Sequence, residues 1–173
     1  MRRHELEHLI RAAAAITNAY EIVVVDSQSI LGAVPEPPPV LLQSMEADCY
    51  PLHSPELADL IDGAIGELSP FHERFGYYAQ GVGPDTSVLP SGWGRRLVKI
   101  QNENTDLNVG WCLEPHDLAA AKLVAGREKD GPFVATMLAH DLVSMKTLLA
   151  RIDQLPLEQA RRDALARRAK ALV

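Results

Sequence analysis

Glu46 and Asp48 stand one residue apart within Ser44-Met45-Glu46-Ala47-Asp48-Cys49-Tyr50. In a strand, side chains at i and i+2 point to the same face, so the two carboxylates would converge with their backbones about 6 to 7 Å apart. Converging acids suit hard divalent cations such as Mg²⁺ or Mn²⁺, which take oxygen ligands. Two such ions about 3.5–4 Å apart can clamp the attacking and leaving oxygens of a phosphoryl or nucleotidyl transfer. Upstream, Asp26-Ser27-Gln28 closes the β-branched run Ile22-Val23-Val24-Val25.

A rival pattern lies at the start of the chain. His4-Glu5-Leu6-Glu7-His8 matches the His-Glu-x-x-His zinc motif, and its i, i+4 spacing puts both imidazoles on one helical face. No strand precedes it to line a substrate cleft, and no downstream motif supplies a third ligand, so a protease is not the expectation. His53, His72, His116 and His140 are scattered without ligand spacing. The segment around His72 is expected to be a packed loop, and Trp93, between two glycines, a packing residue.

The elements that must position these groups follow from periodicity. Leu6, Leu9, Ile10, Ala13 and Ile16 recur at helical spacing, predicting a helix over about 3–19 that leads into the 22–25 strand. A short helix over about 27–34 must end at Pro35-Glu36-Pro37-Pro38-Pro39, because consecutive prolines neither donate nor continue a helix. The acidic strand comes next, at about 44–50. Ser54-Pro55-Glu56 then opens a helix carrying Leu57, Leu60, Ile61, Ala64 and Ile65. Strands are expected at 77–82, 97–101 and 109–113, and helices at 115–129, 132–153 and 156–171. The fold class is therefore α/β (α+β), a small mixed sheet with flanking helices over residues 1–113, followed by a C-terminal helical region over 114–173.

Composition bounds the function. A chain of 173 residues with 47% hydrophobic and 23% charged residues can bury one ordinary core. No apolar run has the length of a membrane span, and no signal-peptide pattern is present, which together predict a cytoplasmic protein without a membrane partner. Cys49 and Cys112 lack metal spacing and read as reduced, buried thiols. The net charge of −6 is uneven: residues 151–173 hold six Arg or Lys and three acids, a surplus of three that leaves −9 on the remainder. Such a tail is either a solvated amphipathic helix or a face turned to RNA.

With those residues in order, the chain resembles the polymerase-β-like nucleotidyltransferase superfamily, and within it small bacterial nucleotidyltransferases of the abortive-infection and toxin–antitoxin type. The resemblance rests on a strand ending in a turn with Ser27, a helix, a strand with acid-x-acid at Glu46 and Asp48, and Asp117-Leu118-Ala119-Ala120-Ala121-Lys122-Leu123-Val124-Ala125-Gly126-Arg127-Glu128-Lys129-Asp130, which is similar to a motif in the helical part of those proteins. It covers roughly residues 20–135. It implies that Glu46 and Asp48 hold Mg²⁺ or Mn²⁺ and that Ser27, with Gln28 beside it, lies against the phosphates of an NTP. Lys122 would reach the triphosphate, with Arg127, Lys129 and Asp130 completing the wall. It further implies transfer of a nucleoside monophosphate to an RNA or protein acceptor in the company of a cognate toxin or antitoxin, and the basic tail over 151–173 makes RNA, a tRNA end among the candidates, a reasonable acceptor.

The chain departs from the family pattern at three places. Asp26 stands where the turn usually has Gly, adding a Cβ and a negative charge. Glu46 replaces the usual Asp, and the Pro-rich insertion lengthens the gap after Ser27. A third strand acid is not evident, Glu67 and Glu103 being the candidates. These departures support an alternative, a non-catalytic module that binds nucleotide or a partner. Other roles for single residues stay open: an edge strand's solvent face for Glu46 and Asp48, a snorkelling position for Lys122, a helix-start role for Asp117, and helix-end ion pairs for Arg127 to Asp130.

Overall fold

The computed structural model describes residues 1–173. The chain runs α1 (Arg3–Thr17), β1 (Glu21–Val25), α2 (Ile30–Ala33), β2 (Glu46–Pro51), α3 (Ala58–Ile65), α4 (Pro70–Phe75), β3 (Tyr78–Gly81), β4 (Val98–Ile100), β5 (Val109–Cys112), α5 (Pro115–Ala125), α6 (Asp130–Ala139), α7 (Met145–Asp153) and α8 (Gln159–Lys170). The five strands form one mixed sheet in the order β3-β2-β1-β5-β4. β1 is central, pairing antiparallel with β2 and parallel with β5. Its residues Ile22 to Val25 are all buried, as expected of a strand covered on both faces.

α1 and α3 pack together on the sheet. The apolar stripe of α1, from Leu6 to Ala14, is buried, and Ile10 contacts the sheet at Gly110, where an added Cβ would clash with its side chain. α2 meets β4 and β5, and Gly32 lets it approach Cys112 closely. α5 leans on α2 and carries α6, α7 and α8 on its other sides. One hydrophobic cluster runs through all of this, from Leu6 in α1 to Ala169 in α8. Both cysteines are free and buried, and no helix is long and apolar enough to cross a membrane.

Three local expectations are corrected. The helix expected over 132–153 is two helices, because Asp141 adopts φ +56° and the backbone N–H of Ser144 donates to His116 Nε2 at 3.0 Å, starting α7 afresh with Ser144 as its cap. The segment around His72 is a helix instead of a loop: the Ser69 hydroxyl accepts from the His72 N–H, Pro70 takes the first position, and Gly76 ends it at φ +77°. The helix expected over 27–34 is a single 3₁₀ turn at Ser27–Ser29 followed by four α-helical residues, too short to build a sizeable dipole.

Candidate functional site

Strand register brings the two acids to the turn after β1. Val25 lies opposite Asp48, so residues 26 and 27 leave the sheet beside that carboxyl. Glu46 and Asp48 share a face of β2 and are in contact. Burial first, then the neighbouring Glu46 carboxylate, pushes Asp48 up to about 8. A like charge this close disfavours the charged form of Asp48. Asp48 Oδ1 is buried with no hydrogen-bond partner. An orphaned carboxylate oxygen beside a second carboxylate is a donor set that fits a hard divalent cation.

No group of three or more His, Cys, Asp or Glu is gathered to hold a metal ion. The sheet explains the missing third acid. β3 pairs parallel with β2, placing Tyr78 opposite Glu46 and Gln80 opposite Asp48, so a phenol and an amide occupy the neighbouring positions. Tyr78 donates to Glu46 Oε2 at 3.1 Å, and burial together with Glu46 pushes its hydroxyl up to about 12. Glu67 is exposed, near enough to Tyr78 to add to that shift, and Glu103 lies in a 3₁₀ turn that packs against α1; neither is on β3.

Asp26 has φ +55° and ψ −158°, a conformation that glycine adopts freely and that costs other residues about 1–3 kcal/mol. The turn thus holds a backbone suited to glycine while bearing a carboxylate. That carboxylate faces the cleft, where it pairs with Lys122 Nζ and, at 2.7 Å, with Arg127 Nη2. Burial would push Asp26 up, but Lys122 and Arg127 outweigh it and hold the group below the usual carboxylate range. Both cations are therefore already bound to an anion of the chain itself.

Lys122 is 2% exposed and does not snorkel to water. Besides Asp26, its ammonium donates to Ser27 Oγ at 2.6 Å and Asp130 Oδ1 at 3.1 Å, using all three of its donors. Ala119 and Ala120 of the same helix are buried, and Gly126, at φ +65°, ends the helix. Arg127 then donates from its backbone N–H and its Nε to Asp130 Oδ2, both at 3.0 Å. Burial would lower the Arg127 pKa, but Asp26 and Asp130 raise it further. Asp130 is fully buried and holds both cations in place.

Three cavities meet at these groups. A small central one is lined by Asp26, Ser27, Ser44, Glu46, Asp48, Arg127 and Lys129. A larger cavity of about 320 Å³ shares Ser27, Ser44 and Lys129 with it and adds Val40, Pro132 and Phe133. Another, of about 230 Å³, shares Asp26, Asp48 and Arg127 and is walled by Thr86, Ser87, Val88 and α5. The ammonium of Lys122 borders both larger cavities and lies 4.9 Å from the Phe133 ring centroid.

The structure thus brings together Ser27, Glu46, Asp48, Lys122, Arg127, Lys129 and Asp130. Gln28 is different: it is 1% exposed, lines none of these cavities, and neither end of its amide has a partner. Asp117 does not cap α5, a job done by Glu114, whose carboxylate accepts from the N–H groups of His116 and Asp117. Trp93 packs against the core. His8 of the zinc-like pattern hydrogen-bonds the Tyr77 hydroxyl at 2.8 Å and packs against Phe71 and Phe75, while His4 is exposed. Residues 86–88 were not singled out from sequence, since a Thr-Ser-Val loop carries no pattern.

Comparison with known proteins adds a family. A family model described as a nucleotidyltransferase of unknown function (DUF6036) matches residues 4–168, and the chain belongs to this family. Nothing matches among curated proteins or solved structures.

Proposed function

We propose that this member of a nucleotidyltransferase family is a metal-dependent enzyme that moves a nucleoside monophosphate from an NTP to a hydroxyl of RNA, a tRNA end included, or of protein. The observation that carries the reading is the pair Glu46 and Asp48, with the orphaned Asp48 oxygen, lining one small cavity with Ser27, to which Lys122 donates. Glu46 and Asp48 are the residues that would hold Mg²⁺ or Mn²⁺. A divalent cation at such a pair supplies charge neutralisation at the reacting phosphate and its leaving group.

The chain's own residues do the rest. Ser27, Lys122 and Lys129 bind the triphosphate, with Arg127 stabilising charge as the α–β bridge breaks. Asp130 orients Lys122 and Arg127 and stays paired throughout. The 320 Å³ cavity, with Val40 and Phe133, receives the nucleoside, whose base stacks on the aromatic ring. Triphosphate binding must displace Asp26 from Lys122 and Arg127, so affinity is set by exchange of one anion for another. By resemblance to the small bacterial enzymes of that type, the role is in a toxin–antitoxin or phage-defence pair.

A second reading is favoured by Asp26 facing the cations and by Gln80 in place of a third acid: the same cleft binds nucleotide or a partner without turnover. The experiment that separates them incubates the folded protein with each α-labelled NTP, Mg²⁺ or Mn²⁺, and total cellular RNA and protein, with Glu46→Ala/Asp48→Ala as control. Transfer of label that the double variant lacks supports the enzyme; nucleotide binding without transfer supports the binding module.

A further inference from the structure

We propose that the 230 Å³ cavity walled by Thr86, Ser87 and Val88 is the acceptor site, and that its acceptor is a single hydroxyl-bearing side chain of a protein instead of a nucleic-acid strand. This rests on the nucleotidyl-transfer reading above and narrows its acceptor. Position comes first. The cavity reaches the centre through Asp26, Asp48 and Arg127, whereas the nucleoside cavity reaches it through Ser27, Ser44 and Lys129. A nucleoside held in the one cavity leaves the other open to the centre, so an incoming nucleophile can reach the reacting phosphate without displacing the nucleoside.

Charge decides what enters. A nucleic-acid strand is held chiefly through phosphates, which need uncommitted cations along their path. The only cations on this cavity are Lys122 and Arg127, both engaged by Asp26 and Asp130. The loop from Gly83 to Pro90 contributes Asp85 and no Lys or Arg. Lys129, which makes no ion pair, borders the nucleoside cavity and the central one but not this cavity. Arg168 of the basic helix α8 sits beside Gly126 and Gly131, behind this cavity's wall, and no residue of α8 lines any of the three cavities.

Shape and polarity agree. Val88 is 36% exposed at the mouth, and Leu118, Ala121, Val124 and Ala125 make the α5 wall apolar. The volume falls below the roughly 300–1,000 Å³ usual for small-molecule sites, which suits one inserted side chain. The hydroxyls of Thr86 and Ser87 can each donate to and accept from an incoming hydroxyl. In the transfer, the acceptor oxygen forms its bond to the α-phosphorus while the bond from that phosphorus to the α–β bridging oxygen breaks. Pyrophosphate leaves, carrying the hydroxyl proton.

The test offers α-labelled NTP and Mg²⁺ to the full chain with either total cellular RNA or RNase-treated total cellular protein, and compares Val88→Trp, which fills the cavity mouth. Equilibrium dialysis with labelled NTP reports nucleotide binding separately. The expected result is nucleotide linked to Ser, Thr or Tyr hydroxyls, located by mass spectrometry. Val88→Trp should label at least about tenfold less while its NTP affinity stays within about twofold. Protease-resistant label in RNA would overturn the acceptor assignment and leave nucleotidyl transfer standing, as would protein labelling that Val88→Trp leaves intact. Bound NTP with no label in either pool would overturn the transfer reading and this assignment with it.

Discussion

The two ends of α5 each hold a buried aspartate–cation network, and they are built differently. At the N-terminal end, Asp117 is 1% exposed, accepts from Arg96 Nε at 2.8 Å and Arg96 Nη2 at 3.0 Å, and forms an ion pair with Arg151 Nε at 3.0 Å, a nitrogen that makes no hydrogen bond. Glu114 caps the helix and takes His116 Nδ1 at 2.6 Å. Both oxygens of Asp117 are satisfied, and the cluster borders none of the three cavities. It fastens the β3–β4 loop, through Arg96, to α5 and α7.

At the other end the same chemistry is left open. Lys122 serves Asp26, Ser27 and Asp130 at once; Asp26 is held in a glycine's conformation; Asp48 keeps an oxygen without a partner. Local cost of this kind persists only where the surroundings over-determine it, and such places are where function concentrates. Carboxylate oxygens satisfied away from any cavity mark a fastener, and an orphaned carboxylate oxygen beside a cavity marks a site.

Lys122→Met sharpens the contrast most. It leaves Asp26 and Asp130 facing each other without their shared cation, so chemical denaturation should show a loss of about 3–5 kcal/mol, and NTP binding by the folded fraction should disappear. Asp117→Ala orphans Arg96 and Arg151 and should cost about 3 kcal/mol by the same measurement, with NTP affinity of the folded protein unchanged. A parallel loss of affinity would merge the two regions functionally and break the comparison.

Asp26→Gly acts in the opposite direction. It frees Lys122 and Arg127 and removes the strain, so equilibrium dialysis should find NTP bound about tenfold tighter, roughly 1.4 kcal/mol. The smallest effect is a slope. The native Asp48 carboxyl is pushed up to about 8, above an unfolded value of about 3.9, so the folded state binds the extra proton between those pH values and loses stability as pH rises through them. Asp26, held low, has the reverse dependence, losing stability only as pH falls through its lowered value. Melting at pH 5 and pH 8 should therefore favour pH 5 for wild type, less so for Asp48→Asn, and saturating Mg²⁺ should narrow the difference by releasing the proton.

Much of this was legible from residue types. Alternation placed Glu46 and Asp48 on one face because a strand's period is two, and the β-branched run fixed β1 ahead of the Ser27 turn. Lys122 and its followers were marked by the motif they resemble, but its burial was not, since a lysine in an Ala-rich helix reads equally well as an edge residue. The backbone of Asp26 is invisible in sequence, where only the absence of glycine shows. Gln80 opposite Asp48 depends on pairing between segments some thirty residues apart, which periodicity does not report. The break at 140–144 carries no Gly or Pro; it is set by His116 accepting a hydrogen bond from across the helical layer.

The central claim, that the open end of α5 is a nucleotidyl-transfer site and the closed end is not, is tested most directly by transfer of α-labelled NTP measured in parallel on folded Asp48→Asn and folded Asp117→Asn. The account predicts that Asp48→Asn loses transfer by about 10²-fold or more while Asp117→Asn retains it per folded molecule. Transfer that survives in Asp48→Asn would contradict it.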